Sequence, residues 1–282
     1  MRRSKTNKVW IITGATGGLG LSLSRNLLSQ GYFVAATSRN EQNLIKKLGD
    51  ETDHFLPLRM DPVSEEDILK AKARVLQKFG TLDVIVNNAG YALRGMIEEV
   101  SDAEVRRIFD INVIAVLNMI RGFGGILREK RSGCIINISS IGGYKTGAWS
   151  GIYGASKYAV EGISEALYYE MKPFGVKVIS VKPGDMRTSF HEPGRLVIAE
   201  KRIKDYEEMS LSFYNKIAGK NGHQTSDPEK VAGQIILLAD EDAPPLNMFI
   251  GSDSYQIAKD KMSEVNRELE RWKEISFAVG CD

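Results

Sequence analysis

Short runs of β-branched and other apolar residues alternate along the chain with longer segments of helical pattern, and this alternation constrains the fold most strongly. The runs that predict strands lie at 9–13, 32–37, 55–60, 82–86, 134–139, 176–181 and 246–250. Continuous apolar strands separated by helices are typical of a parallel sheet covered on both faces. We therefore predict an α/β fold with a doubly wound parallel sheet.

Helical patterns fill most intervals between these strands, at 19–29, 64–79, 101–129, 151–171 and 231–239. The stretch from Asp185 to Asp227 breaks the rhythm because it is polar and mixed. Residues 252–274 carry apolar positions at alternating steps of three and four, which predicts an amphipathic helix. We expect its apolar stripe to pack on the body or on another subunit.

Composition excludes several classes of protein. The 282 residues carry a net charge of only +2, which gives no reason to expect nucleic acid or an anionic membrane as partner. Two cysteines cannot build a disulfide framework or a four-cysteine zinc site, and Cys134 reads as an inert core thiol. His54, His191 and His223 are scattered, so we expect no metal site. The apolar run near the N-terminus is too short for a signal peptide, and no 18-residue stretch lacks charge, so we expect a cytoplasmic protein without a membrane span.

A glycine-rich turn follows the first predicted strand and opens a helix. Glycine is abundant, at 27 residues against 8 prolines, and Gly14, Gly18 and Gly20 give the spacing G-x-x-x-G-x-G. Glycines serve where the backbone turns tightly or approaches a phosphate, and the helix N-terminus favours an anion. The turn alone is equally compatible with a plain tight turn, but its place between strand and helix favours a dinucleotide phosphate site.

Tyr153 and Lys157 are four residues apart in a predicted helix and therefore lie on the same face. A free phenol titrates near pH 10, and a fixed positive neighbour favours the phenolate, so we expect Lys157 to lower the pKa of Tyr153. Taken alone, the pair could also be an ordinary surface pair.

Three further polar groups interrupt or end apolar segments. Ser139 and Ser140 end a buried strand at the edge where open α/β sheets bind ligands, although serines there also serve as caps. The segment 87–90 reads Asn-Asn-Ala-Gly, and Asn112 lies within an apolar helical stretch. Buried asparagines usually satisfy backbone groups, so each signal is weak alone.

In this order the motifs resemble the short-chain dehydrogenase/reductase family. The resemblance runs from residue 8 to about residue 188 and includes the 13-residue step from Ser140 to Tyr153 and the pair Pro183-Gly184. It implies a Rossmann fold as a single domain over 1–282, with a substrate lid at 185–228 after the sixth predicted strand.

The resemblance also implies a catalytic tetrad. Tyr153 would be the acid/base at the substrate oxygen, and Lys157 would lower its pKa and hold the nicotinamide ribose. Ser140, rather than Ser139, would stabilise the substrate oxygen, and Asn112 would position a water in the proton relay. The positions expected to bind the cofactor, besides Tyr153 and Lys157, are Gly14, Thr16, Gly17, Gly18, Leu19, Gly20, Ser38, Arg39, Asp61, Asn88, Ala89, Gly90, Pro183, Gly184, Met186 and Thr188.

The end of the second predicted strand argues for NADP as the cofactor. An acidic residue there would bind the adenosine ribose of NAD and repel the extra phosphate of NADP, but the chain has Ser38 followed by Arg39. A guanidinium pairs with phosphate in bidentate fashion. Asp61 resembles the family's adenine-contacting acid, although Pro62 after it is unusual.

These observations predict an NADP-dependent alcohol dehydrogenase or carbonyl reductase. An epimerase or dehydratase of the extended branch and a redox-sensing or regulatory dinucleotide-binding protein remain as alternatives. Phe190, Met209, Phe213 and Tyr214 could line an apolar pocket for a hydrophobic carbonyl or alcohol, or could merely pack the lid. The resemblance to the family also implies a homodimer or homotetramer, with contacts through the helices at 101–129 and 151–171.

Overall fold

The computed structural model describes residues 7–188, 196–220 and 224–280. Phe190, His191, His223, Cys281 and the N-terminal segment before residue 7 lie outside the described residues.

Seven parallel strands form the main sheet, and two short strands pair separately beside it. The main sheet has the order β3-β2-β1-β4-β6-β7-β9, and each neighbouring pair is parallel. Its strands are β1 (Val9–Ile12), β2 (Phe33–Ser38), β3 (Phe55–Arg59), β4 (Val84–Asn87), β6 (Gly133–Ile138), β7 (Val176–Pro183) and β9 (Asn247–Ile250), and the separate pair is β5 (Ala92–Arg94) with β8 (Leu196–Ile198). The order reverses direction between β1 and β4, which confirms the predicted doubly wound Rossmann-type α/β fold.

Ten α-helices in the described ranges connect or follow these strands. They are α1 (Gly18–Ser29), α2 (Glu41–Leu48), α3 (Glu65–Phe79), α4 (Asp102–Phe109), α5 (Ala115–Lys130), α6 (Gly151–Met171), α7 (Glu207–Lys220), α8 (Pro228–Asp240), α9 (Ser252–Arg271) and α10 (Lys273–Phe277). The sequence patterns do not predict α2, α7, α10 or the pair β5–β8.

Strand β1 shows how the sheet divides the core into two layers. All four of its residues are buried, and successive side chains point to opposite faces. Trp10 and Ile12 pack in the cluster with α1 and α8, whereas Val9 and Ile11 pack in the cluster with α3, α5 and the end of α6. Cys134 lies in the first cluster, and burial raises the pKa of its thiol to about 12, which agrees with an inert core thiol.

The helix predicted at 101–129 is interrupted by a π-helical turn at Asp110–Ile114 between α4 and α5. By length and composition alone, an 18-residue window within Asp102–Lys130 is apolar enough to cross a membrane, with a mean hydropathy of 1.4. Half of that apolar window is buried inside the protein. Met119, Phe123 and Leu127 pack against the sheet, which accounts for the apolar character of the segment.

The lid segment, predicted without regular structure, contains β8 and α7. Strand β8 pairs with β5, which follows β4 in the chain, so this pairing attaches the lid segment to the body. The Trp149 ring stacks on Phe213 of α7, with the ring centroids 6.1 Å apart. The backbone of Trp149 has a φ of +64°.

Helix α9 begins as predicted and its first residues pack on the body, where Ser254 and Ala258 are buried. Polar contacts continue the attachment, because Lys145 pairs with Glu264 at 2.9 Å and Lys261 donates to the Tyr158 hydroxyl at 3.3 Å. Beyond them the predicted apolar stripe does not pack on the body: Leu269 is 63% exposed.

The packing of α5 makes a direct prediction for stability. Phe123→Ala removes a fully buried ring from the cluster beneath α5, so unfolding in denaturant should show a loss of about 3–5 kcal/mol. Leu69→Ala, at a position 61% exposed on α3, is the matched control and should change stability by less than about 0.5 kcal/mol. Equal effects of the two substitutions would contradict the assignment of α5 to the core.

Candidate active site

A cleft of about 790 Å³ opens at the carboxyl ends of the central strands. It is bordered by the glycine-rich turn after β1, the segment after β4, the ends of β6 and β7, and the first turns of α6. Among the predicted site positions, eighteen of twenty line this cleft, and Gly20 and Asn112 do not. The sequence motifs therefore converge on one place in the fold.

Hydrogen bonds between Thr13 and Asn88 join the ends of β1 and β4. The Thr13 hydroxyl accepts from the backbone N–H of Asn88 at 2.9 Å and of Ala89 at 3.0 Å. The Asn88 amide donates in return to the carbonyl oxygens of Thr13, at 2.8 Å, and Gly14, at 3.2 Å. The two loops at the reversal of strand order are thereby held as one unit.

The turn after β1 has the properties of a phosphate cradle. Gly14 and Gly18 have φ angles of +69° and +55°, a region that favours glycine. No side chain caps the first turn of α1, so its N–H groups and the positive end of the helix dipole face the cleft. Gly20 serves packing instead, since a Cβ there would lie 2.5 Å from the Asn88 amide nitrogen and 2.7 Å from the Gly14 carbonyl oxygen.

The residues predicted to choose the cofactor lie at or just after the ends of β2 and β3 and also line the cleft. Ser38, Arg39 and Asp61 all line it, and Arg39 is exposed. The Asp61 carboxylate accepts from the backbone N–H of Val63 at 3.1 Å, so it caps the turn that contains Pro62. Lys47 of α2 donates to the Thr16 carbonyl oxygen at 2.7 Å and places a second cation at the edge of the glycine-rich turn.

Tyr153 is buried at the centre of the cleft, and its phenol is hydrogen-bonded to the Ser140 hydroxyl. Burial raises the pKa of Tyr153, while the bond from Ser140 and the nearby Arg94 guanidinium oppose that rise. The net direction is upward, so the prediction that this pKa is lowered is wrong for this structure. The Ser139 hydroxyl is buried without a hydrogen-bond partner among the described residues, and it also lines the cleft.

Lys157 lies one turn after Tyr153 on α6, as predicted, and its ammonium donates to the Ile138 carbonyl oxygen at 2.9 Å. Burial lowers its pKa to about 8, and the carboxylate of Glu161 one turn further along opposes that fall. Glu161 also forms a buried ion pair with Lys182 at 2.7 Å. Its charge is therefore shared between two lysines.

Asn112 lies in the π-helical turn, and its side-chain amide joins this turn to Tyr91 and Ser156 by hydrogen bonds. Its amide nitrogen donates to the Tyr91 carbonyl oxygen at 3.1 Å and to the Ser156 hydroxyl at 3.0 Å, and its amide oxygen accepts from the Tyr91 N–H at 3.1 Å. Both amide protons are thus used. A relay water would have to bind the second acceptor site of the amide oxygen or the backbone of the turn.

Sequence reasoning missed a polar group at the centre of the cleft. Arg94 on β5 places its guanidinium 5.0 Å from the centre of the Tyr153 ring, and Asp185 lies near enough to influence it. A basic residue soon after the Asn-Asn-Ala-Gly segment was the available signal. Met209 and Tyr214, by contrast, are about half exposed, and Phe213 packs on Trp149; none lines this cleft.

A scan against protein-family models matches residues 8–195 to the short chain dehydrogenase family. The chain belongs to this family. Membership of this family explains why the sheet order, the glycine-rich turn and the Tyr153–Lys157 pair occur together in one chain. The match also confirms the resemblance seen in the sequence.

Relatives of this short-chain dehydrogenase are similar over most of its length. It is 30% identical to oxidoreductase BOA17 of Botryotinia fuckeliana, covering 96% of this chain and 98% of the relative. It is 33% identical to a 3-ketodihydrosphingosine reductase of Bacteroides thetaiotaomicron, covering 86% and 88%. A crystal structure of a short-chain dehydrogenase from Streptomyces avermitilis superposes with a TM-score of 0.90 at 32% identity, covering 98% of this chain and all of that one.

The buried ammonium of Lys157 in this dehydrogenase predicts a pH-dependent difference in stability. Its folded pKa of about 8 lies below the unfolded value of 10.5, so the folded state disfavours the charged form. Below pH 8 that penalty is constant, and it disappears as the pH rises from 8 to 10.5. The free energy of unfolding, measured against pH, should therefore rise for the wild type relative to Lys157→Met by about 3 kcal/mol across this window. Parallel curves for the two proteins would show that Lys157 titrates normally.

Proposed function

We propose that this dehydrogenase is an NADP(H)-dependent oxidoreductase that transfers a hydride between the nicotinamide and a carbonyl or secondary alcohol. The observation that carries the proposal is the contact of the buried Tyr153 phenol with the Ser140 hydroxyl, one helical turn from Lys157, in the same cleft as the glycine-rich turn. A proton donor, a hydroxyl for the substrate oxygen and an anion cradle are thus in one cavity.

The residues present fit a nicotinamide dinucleotide. The uncapped N-terminus of α1 and the glycines at positive φ would hold the pyrophosphate, and the Lys157 ammonium would hold the nicotinamide ribose. When bound, the cofactor supplies the hydride in reduction and accepts it in oxidation.

The protein's own groups manage the proton and the substrate oxygen. Ser140 donates a hydrogen bond to the carbonyl oxygen, which stabilises the negative charge that develops there. Tyr153 delivers the proton to the same oxygen. Because burial raises the pKa of Tyr153, the phenol is protonated at neutral pH, which suits an acid that acts in carbonyl reduction.

The NADP assignment rests on charge at the end of β2. The exposed guanidinium of Arg39 lines the cleft, and Lys47 adds positive charge beside Thr16. Neither position carries a carboxylate that would repel a ribose phosphate. The preference for NADP also agrees with a physiological role in reduction.

The substrate proposal is a ketone or secondary alcohol with an apolar body. Ile111, Ile141 and Val197 line the cleft and would contact such a body. The name of the Bacteroides relative, a keto-compound reductase, supports a ketone as the reacting group. A cytoplasmic location and a homodimer or homotetramer remain predictions.

The role of Tyr153 is tested by Tyr153→Phe, which removes only the hydroxyl. NADPH oxidation over a panel of carbonyls should fall by about 10²- to 10⁴-fold or become undetectable, because the proton donor is lost. NADPH affinity, measured by fluorescence, should stay nearly unchanged and serves as the control for folding. Turnover within about tenfold of the wild type would assign the proton to another group.

The cofactor preference is tested by Arg39→Ala. NADPH affinity should fall by about 10- to 100-fold while NADH affinity changes little, because a charge-assisted contact to the extra phosphate is lost. Arg128→Ala, an exposed arginine on α5, is the control and should alter neither affinity. Equal or tighter binding of NADH by the wild type would refute the preference.

A further inference from the structure

Hydrogen bonds hold both the backbone and the side chain of Arg94 in place beside Tyr153. Its carbonyl oxygen accepts from the Ala199 N–H at 2.8 Å, through the pairing of β5 with β8, and the next residue, Gly95, donates to the Trp149 carbonyl oxygen at 3.1 Å. The Ser150 hydroxyl accepts from one terminal guanidinium nitrogen at 2.9 Å. Backbone and side chain are therefore both fixed, with the charge 5.0 Å from the centre of the Tyr153 ring.

The Arg94 guanidinium has a hydrogen-bond donor that no described residue uses. Its Nε atom is buried without a hydrogen-bond partner, and no ion pair between residues of the described ranges includes Arg94. A buried guanidinium with unused donors is costly, and desolvation lowers the pKa of Arg94 as a consequence. The cation is retained in the cleft although no described residue neutralises it by direct contact.

Several other charged side chains border the same cleft. Lys145 is paired with Glu264, and Arg107 lies exposed at the rim near Asp110. Asp185 attracts Arg94 across the cleft, since its charge opposes the fall in the pKa of Arg94. The Lys157 ammonium also lines the cleft, but it donates to the Ile138 carbonyl oxygen and is assigned to the cofactor ribose, so Arg94 is the cation left for a substrate bound at Tyr153.

We propose that Arg94 binds a carboxylate carried by the carbonyl substrate, so that this enzyme acts on keto acids or the corresponding hydroxy acids. The inference rests on the proposed function for the reaction itself and adds the class of substrate. The planar fork of a guanidinium matches a carboxylate in bidentate geometry, and Nε with the second terminal nitrogen offers such a fork. The apolar lining of the cleft accommodates the rest of the molecule.

The geometry also limits where the carboxylate sits. The guanidinium lies beside the Tyr153 ring, and the carbonyl oxygen must reach the hydroxyl of the same ring. The two groups of the substrate are therefore separated by only a few bonds. Long-chain acids with a remote carbonyl do not satisfy both contacts.

The test compares β-benzoylpropionate with its methyl ester, which have ketones of similar reactivity but differ in charge. In NADPH-oxidation assays the wild type should favour the acid in kcat/KM by about 10- to 100-fold, mainly through KM. Arg94→Met should remove most of that preference, and Arg94→Lys, which keeps the charge without the fork, should retain part of it. Arg128→Met, the exposed control, should leave the preference unchanged.

A wild-type enzyme that reduces the ester as well as the acid, or that prefers the cationic ketone β-dimethylaminopropiophenone, would overturn the inference and leave the proposed function intact. That comparison stands even if Arg94→Met fails to fold. If none of the three ketones is reduced, calorimetric binding of the acid and the ester to the wild type with NADP present decides separately. Tighter binding of the acid by the wild type, lost in Arg94→Met and reduced in Arg94→Lys, supports the carboxylate site, and equal binding of acid and ester by the wild type rejects it.

Discussion

The hydrogen bonds between Thr13 and Asn88 are the constraint on which the cleft depends. Strand order reverses between β1 and β4, so the loops after these two strands diverge to opposite faces of the sheet and leave a crevice between them. The Thr13 hydroxyl and the Asn88 amide bridge this crevice with four hydrogen bonds of 2.8–3.2 Å. They fix the glycine-rich turn relative to the segment that leads to Arg94. Close packing of Gly20 against Asn88 leaves no room for a side chain at that junction.

Electrostatic balance around α6 determines the protonation of the site. Tyr153 and Lys157 are both buried, and burial moves their pKa values toward the neutral forms, upward for the phenol and downward for the ammonium. Glu161 offsets the second shift only in part, because it also pairs with Lys182. Helix α6 therefore presents a protonated phenol beside a lysine of reduced basicity. If Glu161 did not also pair with Lys182, its carboxylate would oppose the fall in the pKa of Lys157 more strongly.

Much of the fold and of the site was predictable because its signals are local in sequence. Apolar strand runs, the glycine-rich turn and the four-residue step from Tyr153 to Lys157 each depend on short-range geometry, and the structure places them where expected. The π-helical turn around Asn112 was not predictable from helical periodicity, since it accompanies contacts with Tyr91 and Ser156, 21 and 44 residues away. The placement of Arg94 depends on pairing with a strand about one hundred residues later, which no local pattern encodes. The direction of the Tyr153 pKa shift was mispredicted for a related reason. Burial depends on the whole fold, and it raises this pKa more than the neighbouring groups lower it.

Strand β5 has a consequence for how such an enzyme can diverge. Its three residues lie outside the main sheet, and the Arg94 side chain belongs to neither of the two large core clusters. Exchange of that side chain would change what the cleft admits, and it would also remove a positive charge that opposes the rise of the Tyr153 pKa. Under the proposed roles, a single codon at this position therefore alters substrate recognition and the acidity of the phenol together, so a lineage that acquires a new substrate here also adjusts its catalyst.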